Sequence, residues 1–255
     1  MSARKLRSSA LLILWLAVGC ATPLVAPRQP VREDAQRAVD LLRARWKEFS
    51  DFRAQAEVLV QRGDTKHQVP GVLLLKPPGS LRFEALSPFG QPLLIATMHE
   101  GQIVAYDVGA HTATVGAATP TMAARHFGLA IAPEDLVGLL AGFPVPPSDL
   151  RVAEIFAPDE HGRSLEMTGV LHRQRVWMDF ATGVVRRVLV TGAWVDALLV
   201  YERAEDGTVV GIEVAAAQEN VTGRVRYQNV SVNSGIERER FLFAVPPGAG
   251  VERLR

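Results

Sequence analysis

Chemistry in this chain rests on one thiol and six imidazoles. Cys20 is the only cysteine among 255 residues. A lone thiol cannot form an intrachain disulfide, which leaves reactivity, ligation or covalent attachment as its uses. The histidines (His67, His99, His111, His126, His161 and His172) are scattered along the chain. None stands in the His-x-x-x-His or His-Glu-x-x-His spacing that would bring two imidazoles to one helix face around zinc. Glu160-His161 adjoins a turn glycine, which fits a solvated loop better than a ligand. Arg224 and Arg226 alternate with Val225 and Tyr227 and read as a wet strand face. There is no Gly-x-Ser-x-Gly elbow and no phosphate-binding glycine loop. These patterns predict no catalytic residue, no metal site and no cofactor.

The surroundings of Cys20 point to attachment. Arg4, Lys5 and Arg7 form a basic start, Ala10 to Val18 is apolar throughout, and Gly19 is small. That is the layout of a secretory signal, too short to span a bilayer. The ending Leu16-Ala17-Val18-Gly19-Cys20 resembles a bacterial lipobox, whose cysteine is diacylated before the signal is cut in front of it. Ala17 stands where Leu is usual. The alternative is an ordinary cleaved signal that happens to hold a cysteine. On the lipobox reading, residues 1–19 are the signal, 20–30 a lipidated cysteine with a proline-rich tether, and 31–255 one domain. The tether segment Ala21 to Pro30 has three prolines and no periodicity. Ala21, where an Asp would mark inner-membrane retention, favours the periplasmic face of the outer membrane.

Removing Arg4, Lys5 and Arg7 with the signal shifts the charge balance from 28 basic against 27 acidic residues to 25 against 27, a net of −2. A near-neutral chain gives no electrostatic case for nucleic acid. With 48% hydrophobic and 22% charged residues the composition is globular. The expected link to a membrane is a lipid anchor.

The elements follow from periodicity. Between Val31 and Phe49, Ala35, Ala38, Val39, Leu42, Trp46 and Phe49 fall on one face of a helix. From Phe52 the period becomes two: Phe52, Ala54, Ala56, Val58 and Val60 alternate with Arg53, Gln55, Glu57, Leu59 and Gln61. Further strands are predicted at 67–76, 81–85, 93–98, 102–107 and 112–115. Two short helices, 119–127 and 133–140, follow; Pro133 suits a first helical position and Gly142 a stop. Seven strands are then predicted at 150–156, 164–171, 174–180, 184–191, 194–202, 209–217 and 221–232. The fold class is mainly β (α+β). An antiparallel sheet this wide curls, and three helices are too few to cover it as an ordinary second layer. One resolution is a single strongly curved sheet forming an open half-barrel, with the N-terminal helix and short central helices as plug or lid and room for an acyl chain. The other is a closed core without a cavity.

Several stretches carry a family resemblance. Leu81 to Pro92 (LRFEALSPFGQP) holds Arg-x-Glu-x-x-x-Pro-hydrophobic-Gly, and Pro133 to Gly142 (PEDLVGLLAG) is an apolar helix ending in glycine. Phe241-Leu242-Phe243-x-Val245-Pro246-Pro247-Gly248 closes the domain. With the lipobox in front, this layout resembles the LolB branch of the LolA/LolB superfamily and uncharacterised LolA-like lipoproteins. The resemblance implies an outer-membrane lipoprotein that receives acylated proteins from a LolA-type periplasmic carrier and releases them into the membrane, with no covalent chemistry. It also implies that the loop Pro88-Phe89-Gly90 inserts into the membrane, with Phe89 where the family usually has Leu. Strand alternation nominates Val58, Val60, Leu81, Phe83, Val176, Met178 and Phe180 for an acyl-binding cavity, and Met122, Phe127, Leu136 and Leu140 for its lid. Residues of these types in such a pattern are more often plain core than ligand contacts, and Phe89 is equally open to folding inward. A structural or adaptor lipoprotein with a closed core and no lipid cargo remains the alternative function.

Overall fold

The computed structural model describes residues 30–31, 34–127, 131–170, 172–192, 196–216 and 221–254. The expected signal, the lipid-attachment residue Cys20 and nearly all of the tether lie outside these residues, as does the side chain of Phe127.

The chain opens with a two-residue strand, β1 (Pro30–Val31), then α1 (Ala35–Glu48). Asp34 caps α1 by accepting from the Gln36 amide at 2.9 Å. Six strands follow: β2 (Phe52–Arg62), β3 (Thr65–Lys76), β4 (Ser80–Leu86), β5 (Pro92–His99), β6 (Gln102–Asp107) and β7 (Thr112–Ala117). Helices α2 (Pro120–Phe127) and α3 (Pro133–Ala141) interrupt the meander. It resumes with β8 (Val152–Asp159), β9 (Gly162–Thr168), β10 (His172–Met178), β11 (Val185–Gly192), β12 (Asp196–Arg203), β13 (Val209–Ala216) and β14 (Val221–Val232). A 3-10 turn at Arg238–Phe241 and β15 (Gly250–Arg253) complete the chain.

All fifteen strands form one curved sheet, ordered β1-β8-β9-β10-β11-β12-β13-β14-β2-β3-β4-β5-β6-β7-β15. It does not close on itself among the described residues, so the half-barrel expected from the sequence is the observed architecture. Every pairing is antiparallel except β15 with β7. The two meanders join where β14 meets β2 over a long register that sets Tyr227 against Ala56 and Val225 against Val58.

The sheet differs from the sequence reading at its margins. Pro30, expected in the tether, pairs with Phe156, and β15 had no predicted counterpart. Two and four residues carry too little periodicity to be read as strands. The strand expected to reach Phe180 ends at Met178, because the Asp179 side chain accepts from the Ala181 and Thr182 amides, both at 2.8 Å, and turns the chain.

The concave face is filled from one side. Ala35, Ala38, Val39 and Leu42 of α1, together with Leu136, Val137, Leu139 and Ala141 of α3, are buried in one cluster with Leu75, Leu81, Met98, Leu165, Val176, Val188 and Leu199 from the sheet. Burying a Val or Leu side chain contributes about 1.5–3 kcal/mol, so these two helices are the plug that makes the open sheet stable. On the convex face Arg82 donates to the carbonyls of Arg240 and Leu242 at 3.1 and 3.2 Å while its Nε pairs with Glu84 at 2.6 Å. The Arg-x-Glu pair and the aromatic tail, two separate sequence motifs, are therefore one contact, and it buries Phe241.

Candidate functional site

Strand β2 shows where the concave face is sealed and where it opens. Phe52, Ala54 and Ala56 are buried, Val58 is half-buried, and Val60 is 37% exposed. The cross-strand partners extend that edge. Val58 lies between Val225 and Val69, and Val60 between Gly223 and His67; Val214 on β13 faces Gly223. Val58, Val69, Val214 and Val225 are all half-buried, and Val58, Val214 and Val225 pack on the edge of the core cluster. The backbone over Gly223 is open: an added Cβ would meet nothing nearer than the Leu59 carbonyl at 3.6 Å and Val214 at 3.9 Å. Five apolar positions on four adjacent strands thus form a continuous apolar mouth at that end of the inner face. Alternation singled out Val58 and Val60. Val69, Val214 and Val225 were missed because their membership depends on a register that only the folded sheet reveals.

The remaining predicted residues divide by place. Leu81, Leu136 and Val176 are sealed inside the core cluster, and Met178 is buried at its edge. Phe83 is half-buried and its ring lies over Gly71, where an added Cβ would sit 2.7 Å from the ring. Met122 of α2 is buried against Gly116. Leu140 of α3 is half-buried and packs on the cluster. Phe180 sits in the turn after β10 with the Arg163 guanidinium 4.6 Å from its ring centre. Val58 and Val60 lie at that mouth, and Phe83 lies deeper along the same face, packed on the core cluster. The structure does not bring Val176, Met178 or Phe180 to that mouth.

The loop from β4 to β5 is held open by its own residues. Ser87, Pro88 and Gly90 occupy the first, second and fourth positions of a turn, in keeping with their preferences there. The Gly90 amide donates to the Ser87 carbonyl at 2.9 Å, and the Ser87 amide to the Gln91 carbonyl at 2.7 Å. The Ser87 hydroxyl accepts from the Phe89 and Gln91 amides at 3.3 and 3.1 Å. Gly90 carries φ +78°, a conformation that glycine adopts without cost. Phe89 is left 90% exposed, and Leu93 next to it is 52% exposed. Of the two readings open for Phe89, the outward one is observed. Along the meander this loop and the β2–β3 turn cap the same side of neighbouring hairpins, so the aromatic tip and the groove mouth share one rim.

The polar groups behind the groove hold the plug in place. Tyr201 and Tyr227 donate to the carbonyls of Leu139 and Leu140, and burial raises both phenols well above the ordinary tyrosine value. Arg203 donates to the carbonyls of Val185, Gly207 and Gly142; burial lowers its pKa to about 10, so it stays charged at neutral pH. Among the described residues no group of three or more His, Cys, Asp or Glu side chains is placed to hold a metal ion. No described helix is long and apolar enough to cross a membrane.

No protein-family model matches the chain, and no curated protein matches its sequence. Solved structures do match its fold. A DUF1329 family protein from Desulfovibrio piger superposes with a TM-score of 0.56 at 15% identity, covering 82% of this chain and 97% of that one. A protein domain from Vibrio parahaemolyticus assigned to outer membrane lipoprotein sorting gives 0.56 at 12% identity over the same shares. A LolA superfamily protein from Nitrosomonas europaea gives 0.54 at 10% identity, again over 82% and 97%. The chain therefore has a LolA/LolB-like fold, as its motifs implied.

Proposed function

We propose that the protein is a non-catalytic acyl-chain carrier, held by a lipid on Cys20 at the periplasmic face of the bacterial outer membrane, that receives lipoproteins or another amphiphile and passes them to the bilayer. The observation that carries this reading is the gradient along β2, from sealed Ala54 and Ala56 to Val60 at 37% exposure. A closed core would end in polar residues at that rim. Here an apolar edge runs on from the plugged interior and stops at water, so the folded sheet has hydrophobic surface to offer a ligand. Phe89 beside it supplies a rigid aromatic anchor for the headgroup boundary. The fold shared with a domain assigned to lipoprotein sorting supports the same reading. A LolA-type carrier is the donor this function calls for.

The test is binding of a fluorescent fatty acid, cis-parinaric acid, to the Cys20→Ser protein. Saturable binding is expected, and Val60→Asp should weaken it at least tenfold with unchanged thermal stability, because a half-exposed position tolerates the charge while the groove does not. No binding by the unmutated groove, or equal binding by the variant, would favour the adaptor lipoprotein.

A further inference from the structure

Helix α3 is a strap across the open sheet. Its first residue, Pro133, packs against Gly79 at the β3–β4 turn, where an added Cβ would come within 2.9 Å of Pro133. Two residues further on, Asp135 reaches β10, seven strands from β4 in the sheet order. The contact on that side is polar and almost dry. Gln174 is 0% exposed, and it is flanked on neighbouring strands by the buried apolar residues Met167 and Val190. Its Nε2 lies 3.0 Å from Nε2 of His172 and 3.5 Å from Oδ1 of Asp135, while its Oε1 has no hydrogen-bond partner. His172 Nε2 lies 3.7 Å from Asp135 Oδ2. An amide donating to that nitrogen places the imidazole's own proton on Nδ1. The Asp135 carboxylate is then buried with one long hydrogen bond, fewer than an ionised carboxylate needs.

We propose that Asp135, His172 and Gln174 form a proton-operated latch that holds the first turn of α3 on β10, tightening in mild acid and loosening as the pH rises. A proton on Asp135 removes the buried negative charge and supplies the cluster with a donor for Gln174 Oε1 or His172 Nε2. The other groups facing Asp135 divide in their effect. Glu134 on α3 and Asp149 on the segment before β8 are both acidic and penalise the ionised form; His172 and Gln174 favour it. Burial is the largest influence, and the carboxyl titrates at about 6 rather than 3.8. The latched form has the higher pKa and takes up the proton more readily. Latching therefore strengthens as the pH falls through about 6 and gains nothing further below the ordinary carboxyl value of 3.8. The latch is independent of what the groove carries, since none of its three residues lines the mouth.

Hydrogen exchange of the full-length protein at the amides of Leu136, Val137 and Gly138 reads the latch directly. After correction for intrinsic rates, protection should be about tenfold higher at pH 5 than at pH 7.5, the change that one proton with these two pKa values produces. Asp135→Asn, which keeps the shape without the titration, should hold the high protection at both pH values. His172→Gln, which removes the partner that favours the ionised carboxylate, should move the transition to higher pH. Equal protection of the unmutated protein at pH 5 and 7.5, or a pH dependence that survives in Asp135→Asn, overturns the proposal.

Discussion

The phenol of Tyr227 on β14 donates a 3.0 Å hydrogen bond to the carbonyl of Leu140, in the last turn of α3. Tyr201 on β12 does the same for Leu139 at 2.9 Å, and Arg203 for Gly142 at 2.9 Å. Carbonyls in the last turn of a helix have no partner within it, and a buried one left unpaired costs about 1–3 kcal/mol. The sheet thus caps the plug with side chains, and the C-terminal end of α3 is fixed while its first turn depends on the Asp135 cluster. Tyr227→Phe should lower the unfolding free energy by about 1–2 kcal/mol in urea, and Tyr201→Phe by less, because the Leu139 carbonyl also accepts from the Gly142 amide at 3.3 Å. A loss under about 0.5 kcal/mol in both would mean that these carbonyls do not depend on the phenols.

Asp51 plays a comparable part between α1 and β2. Its buried carboxylate accepts from Ser234 through the amide and the hydroxyl, both at 2.9 Å, and from the amides of Gly235 and Ile236 at 2.9 and 3.3 Å. Burial pushes the carboxyl upward, but these four donors together outweigh it and hold the pKa below 3.8. A depressed folded value means that the stabilisation is present above the unfolded pKa and is lost as the pH falls through the folded one. Asp51→Asn should cost about 2 kcal/mol or more at pH 7, since an amide turns a donor toward donors. The difference from the unmutated protein should shrink in urea melts taken below pH 4. A constant difference down to pH 2.5 would rule out the ionised carboxylate as its source.

Phe83 and Gly71 pack closely on the inner face of the sheet. A Cβ at Gly71 would meet the Glu84 carbonyl at 2.5 Å and the Phe83 ring at 2.7 Å, so the ring and the neighbouring backbone together exclude a side chain there. Gly71→Ala should destabilise by about 1–3 kcal/mol. Phe83→Ala in that background should recover only part of the loss, because the backbone contact remains. Full recovery in the double mutant would assign the whole constraint to the ring.

How much of this was legible follows from what each residue's neighbours are. The alternation from Phe52 to Val60 needs only local sequence, and both the inner face of β2 and the buried stripe of α1 were readable. The β14–β2 pairing was not, because the partners lie far apart in the chain and nothing local encodes Val225 opposite Val58. Arg173-Gln174-Arg175 is polar throughout, yet Gln174 is fully buried and Arg175 lies between the rings of Phe156 and Trp177 at 4.7 and 4.9 Å. Polar residues on a sheet take their environment from what packs over them, here α3 on one face and an aromatic pair on the other. The Ser-Pro-Phe-Gly turn was plain in the sequence, but the direction of Phe89 depends on the four hydrogen bonds that fix its loop.

That direction yields the sharpest functional prediction. A phenyl ring at 90% exposure on a loop braced by Ser87 pays little entropy on entering an interface, because the loop is already ordered. Its removal should leave stability within about 0.5 kcal/mol, since the side chain packs on nothing. Phe89→Asp in the Cys20→Ser protein should reduce co-sedimentation with vesicles of phosphatidylethanolamine and phosphatidylglycerol at least fivefold, and Phe89→Leu should preserve it. Ser87→Ala, which keeps the ring but takes away two of the bonds that hold its loop, should give an intermediate loss. Equal vesicle binding by Phe89→Asp and the parent would remove Phe89 from the membrane contact and leave Leu93 and the edge at Val60 as the exposed apolar surface on that rim.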